Sequence, residues 1–291
     1  MLLPRHAPAA EQSALTPQCH GDIHALADPN GDSVTLRRPT ELLDMTGKVA
    51  VITGGSRGIG RAVAEGFALA GADIVIASRK LESCELAAKE IEAATGRRAL
   101  PVGCHVGRWE DADMLVETVY EHFGRCDVLI NNAGMSPVYD SLTSVTQELY
   151  DKVHAVNARG PFRLAVLFGS RMAAGDGGSI INVTTAGTLR PDTADLPYAM
   201  AKAGLNALTL GLAGAWAPKV RANLVMPGAF DTDISKAWGP EGQAAAASMN
   251  PMKRIGVPED MVGLCVFLAS DAASYINGAQ VLVDGGLFRT L

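Results

Sequence analysis

The sequence lacks the features that mark several protein classes. No apolar run approaches the ~18–20 residues needed to span a bilayer. The most apolar stretch, Ala207–Ala217, falls well short. Basic charge is not in excess: 25 Lys and Arg stand against 31 Asp and Glu, a net charge of −6. Neither a nucleic acid nor a membrane is expected as a partner, because nothing offsets repulsion from phosphates. Cysteine is sparse. Cys19, Cys84, Cys104, Cys126 and Cys265 are odd in number, widely spaced and form no CxxC. That pattern suits reduced thiols and a cytoplasmic location better than a disulfide framework or a zinc site. Cys19, His20 and His24 lie close together, but structural zinc generally takes four ligands with recognisable spacing, so no metal is expected. Met1-Leu2-Leu3-Pro4-Arg5 contains no long apolar core, so no secretory signal is expected.

What is present describes a globular α/β chain. Hydrophobic residues make up 48% and charged residues 19% of the 291, enough to bury an ordinary core. Glycine, at 31 residues, exceeds the usual share of ~7% without a collagen period. Residues 1–44 hold five of the 15 prolines and no aromatic residue. They read as a flexible arm, with one domain from 45 to 291. From Lys48 onward, short β-rich runs alternate with helical periods. Strands are expected at 48–53, 73–77, 100–104, 127–131, 179–183, 220–225 and 280–283. Helices are expected at 59–70, 81–94, 111–123, 146–172, 198–216 and 258–269. This alternation predicts a single Rossmann-like, doubly wound domain with a parallel seven-stranded sheet and helices on both faces.

Thr53-Gly-Gly-Ser-Arg-Gly-Ile-Gly60 sits between the first strand and its helix. In that context Gly54 permits a tight turn, Gly58 lets backbone approach a pyrophosphate, and Gly60 lets helix and strand pack closely. The free amides and dipole of the helix N-terminus favour phosphate. An NAD site usually has an acid at the end of the second strand. Here Ser78 stands there, followed by Arg79 and Lys80, and Arg57 lies in the glycine loop. With no carboxylate to repel it, a 2′-phosphate could be clamped by Arg57 and Arg79. NADP(H) is therefore the expected cofactor, with NAD(H) as the lesser alternative.

Tyr198-Ala-Met-Ala-Lys202 opens a predicted helix, and the i, i+4 spacing puts both side chains on one face. A phenol of pKa ~10 is a poor base near neutrality. An ammonium ~4 Å away contributes ~4 kcal/mol at an effective dielectric of 20, which could lower the phenol by up to ~3 units before desolvation offsets it. Such a tyrosine can give a proton to a nascent alkoxide or take one from an alcohol.

Taken in order, Thr53–Gly60, Asn131-Asn132-Ala133-Gly134, Asn157, Tyr198–Lys202 and Pro227-Gly228 followed by Thr232 resemble the short-chain dehydrogenase/reductase family. The resemblance covers about Met45 to Leu287. It implies that Tyr198 is the acid/base, that Lys202 tunes it and holds the nicotinamide ribose, and that Asn157 anchors a water in a proton relay. It implies cofactor contacts from Gly54, Ser56, Arg57, Gly58, Ile59 and Gly60, and from Ser78, Arg79 and Val106. Further contacts would come from Asn132, Ala133, Gly134, Tyr198, Lys202, Pro227, Gly228, Phe230 and Thr232. Asn131 reads as a bridge between strands. The segment from Thr232 to Pro251 resembles a variable substrate lid, whose apolar residues include Trp238, Met249 and, just past it, Met252. Two positions depart from the family pattern. The substrate-orienting serine is replaced by Thr185, preceded by Thr184. A threonine hydroxyl has the same donor and acceptor capacity, but its extra methyl stiffens χ1. The aspartate that often meets the adenine is replaced by His105, which leaves that contact to the Val106 backbone.

The implied activity is interconversion of a ketone or aldehyde with an alcohol by hydride transfer, acting on a small molecule. Two other readings stay open on the residues alone: a catalytically silent NADP(H)-binding regulatory module, and a cofactor-retaining epimerase or dehydratase. The resemblance also implies a homotetramer built on the helices near 146–172 and 198–216 and the segment 280–291.

Overall fold

The computed structural model of the chain describes residues 26–27, 33–34 and 36–288. The chain divides into a small unit up to Arg38 and a large unit from Pro39. In the small unit, Leu26–Ala27 and Ser33–Val34 pair antiparallel. Most of the expected arm, including Cys19, His20 and His24, lies outside the described residues. The large unit opens with one helical turn, Pro39–Leu42, and Met45 is already buried.

In the large unit the seven expected strands form one sheet. In chain order they are β1 (Val49–Thr53), β2 (Asp73–Ser78), β3 (Ala99–Gly103), β4 (Val128–Asn131), β5 (Gly178–Val183), β6 (Val220–Pro227) and β7 (Gln280–Val283). Their spatial order is β3-β2-β1-β4-β5-β6-β7, with every neighbouring pair parallel. The strands are apolar on both faces because helices cover both. Ala50, Ile52, Ile74 and Ile76 face one layer and pack with Val63, Phe67, Ile91 and Cys265. Val51, Val75 and Leu129 face the other and pack with Leu115, Val119, Leu164 and Phe168. Each strand therefore contributes side chains alternately to the two cores.

The covering helices are α1 (Gly58–Leu69), α2 (Leu81–Thr95), α3 (Trp109–Phe123), α4 (Gln147–His154), α5 (Gly160–Ala174), α6 (Leu196–Ala215), α7 (Asp233–Lys236), α8 (Gly239–Met249) and α9 (Val262–Ala269). No described helix is long and apolar enough to cross a membrane.

One expected helix, 146–172, is corrected. A π-helical turn at Ala155–Arg159 separates α4 from α5. Pro161 has no amide hydrogen to continue the i→i−4 ladder. Asn157 is drawn into tertiary bonds: its Nδ2 donates to Met135 O at 2.8 Å and its Oδ1 accepts the Met135 amide at 3.1 Å. Gly160 lies so close to the Val106 backbone that a side chain would overlap it. These contacts come from residues remote in sequence. The helix expected over 258–269 likewise begins with a 3₁₀ turn, Pro258–Met261, before α9.

Candidate active site

The order of the sheet reverses between β1 and β4, and the loops leaving the carboxyl ends of these strands diverge there. Such a switch point is where α/β sheets bind ligands. A cavity of about 650 Å³ opens at this place. Its walls come from the loops after β1, β2, β3, β4, β5 and β6, together with the start of α6 and the segment around α7.

The glycine loop is locked to the neighbouring strand. Thr53 Oγ1 accepts the amides of Asn132 and Ala133 at 3.0 and 3.1 Å, and Asn132 Nδ2 donates to Thr53 O at 2.9 Å. Gly54 holds a left-handed φ of +67°. A Cβ at Gly60 would collide with Gly54 O and come within 2.5 Å of Asn132 Nδ2. The first turn of α1 has no side-chain cap. Its amides therefore have the character of an anion site at the head of a twelve-residue helix. Gly54, Ser56, Arg57, Gly58, Ile59 and Gly60 all border the cavity. This cradle fits the pyrophosphate of a dinucleotide.

The end of β2 contributes Ser78 and Arg79 to the same cavity, and the end of β3 contributes His105 and Val106. His105 Nδ1 accepts the Gly107 amide at 3.2 Å. No carboxylate stands at the close of β2 to oppose a 2′-phosphate. Arg57 is largely exposed and pairs with Asp233 of α7 at 2.9 Å. Sequence reasoning missed this pairing because its partners lie far apart in the chain.

Tyr198 and Lys202 both sit in the first two turns of α6. Lys202 is 2% exposed, and its Nζ donates to Val183 O, at the end of β5, at 2.8 Å. Nζ lies 5.8 Å from the centre of the Tyr198 ring. Tyr198 is half-buried and borders the cavity, as does Thr185. The expected lowering of the phenol pKa is corrected. Burial, first, and the Asp195 carboxylate, second, hold Tyr198 above its ordinary value, against the lowering effect of the Thr185 side chain. Burial acts on Lys202 as well and lowers it to about 8.

Thr185 borders the cavity and its Oγ1 accepts the Gly187 amide at 3.1 Å. Thr184 borders it too, but its buried Oγ1 has no partner among the described residues. Asn132, Ala133 and Gly134 form the wall between the glycine loop and Lys202. A Cβ on Gly134 would lie 3.1 Å from Asn157 Oδ1 and 3.5 Å from Lys202 Nζ, so this strip of backbone fits tightly between the two. Asn157 is fully buried behind Gly134 and is not among the residues bordering the cavity. Asn131 donates to Asn182 Oδ1 at 2.9 Å and so joins β4 to β5.

Pro227, Gly228, Phe230 and Thr232 border the cavity after β6. The Thr232 amide donates to Ser235 Oγ at 3.0 Å, which turns the chain into α7. Of the three apolar residues expected in the lid, Trp238 borders the cavity. Met249 and Met252 do not; they are 71% and 62% exposed, which corrects that expectation. Asp192, Asp195 and Tyr139 also border the cavity and were not singled out by the sequence. Asp195, three residues before Tyr198, carried a readable signal in its spacing. Among the described residues there is no cluster of three potential metal ligands.

A family model described as enoyl-(acyl carrier protein) reductase matches residues 54–288. The chain is 39% identical to the L-rhamnose 1-dehydrogenase (NAD(P)(+)) of Azotobacter vinelandii over 84% of its own length and 98% of that protein's. It is 34% identical to the human dehydrogenase/reductase SDR family member 4, covering 83% of this chain and 88% of that one. Among solved structures, it resembles the L-sorbose reductase of Gluconobacter frateurii complexed with NADPH and L-sorbose. The TM-score is 0.81 and the identity 33%, over 86% of this chain and 100% of the other.

Proposed function

The chain belongs to the short-chain dehydrogenase/reductase family, and on that premise we propose that it is an NADP(H)-dependent oxidoreductase interconverting a ketone or aldehyde with an alcohol. One observation carries the reading: the Tyr198, Lys202 and Thr185 side chains converge on a cavity whose far end is the glycine cradle of α1. When bound, the nicotinamide supplies or accepts the hydride. Thr185 and Tyr198 hydrogen-bond the carbonyl oxygen and stabilise the negative charge that grows there. Tyr198 Oη then gives its proton to that oxygen, which completes the alcohol. The reverse reaction takes the proton back onto Oη.

The phenolate left on Tyr198 is a buried anion, and Lys202 is the buried cation on the same helix face that stabilises it. Asn157 is a positioning residue. It fixes the Met135 backbone, and with it the Gly134 strip against Lys202. NADP(H) is preferred over NAD(H) because Ser78 stands where an NAD site would place an acid, and Arg57 and Arg79 border the cavity beside it. NADPH-bound sorbose reductase, whose fold this chain shares, supports the same preference. The enzyme acts in the cytoplasm on small carbonyl compounds. Four cysteines, Cys84, Cys104, Cys126 and Cys265, are free and buried, in keeping with a reducing compartment.

Replacing Tyr198 by phenylalanine tests the reading. Reduction of carbonyl compounds by NADPH should fall by ~10²–10⁴-fold, with NADPH affinity, read by fluorescence, within about threefold of wild type. Undiminished turnover in a folded variant would defeat the assignment. The enzyme is also proposed to be a homotetramer. Phe162 on α5 and Met200 and Leu210 on α6 are 45%, 48% and 50% exposed and are suited to a contact between subunits. Light scattering should report four chains, and a monomer at micromolar concentration would reject it.

A further inference from the structure

We propose that Asp195 gives the substrate end of this site a charge preference: it accepts cationic and neutral carbonyl compounds, such as ketones bearing a protonated amine, and rejects anionic ones. The inference rests on the reading of the cavity as a carbonyl-reducing site and names the substrate class within it. It does not add a second site.

Asp195 and Tyr198 are three residues apart at the head of α6, so they are neighbours on one face of its first turn. Both border the cavity. The segment carrying Asp195 is fixed. Tyr139 Oη donates to Thr193 O at 2.5 Å and accepts the Leu196 amide at 3.0 Å. Asp195 therefore stands on a built stretch of wall, one turn before Tyr198.

An aspartate at a helix N-cap normally spends its charge on the first free amides. Asp195 occupies the N-cap of α6 but makes no side-chain cap bond. The Leu196 amide is already given to Tyr139, and Pro197 has none to give. The carboxylate is half-buried. Burial, then repulsion from Asp192, push its pKa up, against one hydrogen bond from the Asp192 backbone. An anion held at this cost gains from a cation placed against it and loses when a second anion arrives.

Among the described residues bordering the cavity, no basic side chain stands at this end. Of the basic residues bordering the cavity, Arg57, Arg79 and His105 lie at the nucleotide end, and Arg57 already pairs with Asp233. Lys202 is turned to Val183 O. Arg190 lies outside the cavity, its guanidinium 6.0 Å from the centre of the Phe288 ring. A substrate carboxylate or phosphate would meet Asp192 and Asp195, with no basic side chain at this end among the described residues bordering the cavity. A substrate ammonium would meet two carboxylates, with Met135, Trp238 and Phe288 to receive the hydrocarbon.

Three ketones of similar size test the proposal at pH 6.5 with NADPH: protonated 1-methylpiperidin-4-one, neutral 4-methylcyclohexanone and 4-oxocyclohexanecarboxylate. The cation should be reduced with kcat/KM at least ~10-fold above the anion, a ratio that shrinks as salt is added. Asp195→Asn should cut that ratio by at least ~5-fold, and Asp195→Glu, which keeps the charge, should restore most of it. An anion reduced as well as the cation, or a ratio unmoved by Asp195→Asn, would overturn the proposal. Should none of the three be reduced by folded enzyme, the carbonyl-reductase reading fails separately. The charge preference is then decided by calorimetry on the full chain with cyclohexylammonium and cyclohexanecarboxylate. Tighter binding of the ammonium, weakened by Asp195→Asn, supports it; equal or tighter binding of the carboxylate overturns it.

Discussion

Replacing Lys202 by methionine should stabilise the folded protein while removing its activity. The side chain is 2% exposed, and burial lowers its pKa from 10.5 to about 8. The difference, 10.5 − 8 = 2.5 units, at ~1.36 kcal/mol per unit, destabilises the fold by ~3 kcal/mol at pH values below both. Methionine fills much of the same volume with no charge to desolvate. It cannot donate to Val183 O, now 2.8 Å from Nζ, and losing that bond costs ~1 kcal/mol. The net expectation at pH 7 is a gain of ~2 kcal/mol. The pH dependence has a definite sign. Because the folded pKa lies below the unfolded one, the unfolded chain binds the extra proton between pH about 8 and 10.5. The penalty is complete below that window and fades through it, so the advantage of the variant should shrink by ~1 kcal/mol between pH 7 and pH 9. Cys104 and Cys265, each pushed up to about 12 by burial, favour unfolding as pH passes 9. They do so equally in both proteins and cancel in the comparison. Urea unfolding followed by circular dichroism at pH 7, 8 and 9 measures the difference. A variant less stable than wild type by a constant amount at all three would refute the reasoning.

Two further outcomes follow from the site. Thr185→Ser should keep kcat within about tenfold of wild type, because the hydroxyl proposed to bond the carbonyl oxygen survives, whereas Thr185→Ala should lose ~10²-fold; steady-state kinetics with one ketone separates them, and an active alanine variant would move the role to Thr184. Arg79→Ala should weaken NADPH binding by ~10-fold and leave NADH binding little changed, since a charge-assisted bond of ~1.5–3 kcal/mol is lost only with the 2′-phosphate; equal weakening of both nucleotides, read by fluorescence titration, would place Arg79 elsewhere.

Much of this fold was legible because its signals are local. The runs at Val49–Thr53 and Asp73–Ser78 are apolar on both faces, which only a doubly covered parallel strand requires, and the glycine loop follows directly on the first of them. Tyr198 and Lys202 are four residues apart, so helical spacing alone brings them together. The unread parts depend on partners remote in the chain. The helical period continues through Ala155–Arg159, and only bonds to Met135 and packing on Val106 reveal the π turn there. The Arg57–Asp233 pair joins the glycine loop to α7, elements separated by most of the domain. The pKa of Tyr198 follows burial more than its lysine neighbour, and burial is a property of the whole fold.

The π turn shows why such a departure is retained. In a regular α-helix from Thr146 to Met172, successive side chains advance by about 100°, and the five-residue turn shifts that phase between α4 and α5. The shift lets Asn157 hold both the amide and the carbonyl of Met135. That grip sets the position of Gly134, where a Cβ would stand 3.1 Å from Asn157 Oδ1 and 3.5 Å from Lys202 Nζ. The lysine is thereby confined on one side by this backbone and on the other by Val183 O. A freely rotating ammonium would reach water and recover its ordinary pKa, at the cost of its fixed place behind Tyr198. On the proposed mechanism the irregular helix and the destabilised lysine are one device: local regularity and solvation are both given up to hold a cation where a buried phenolate would form.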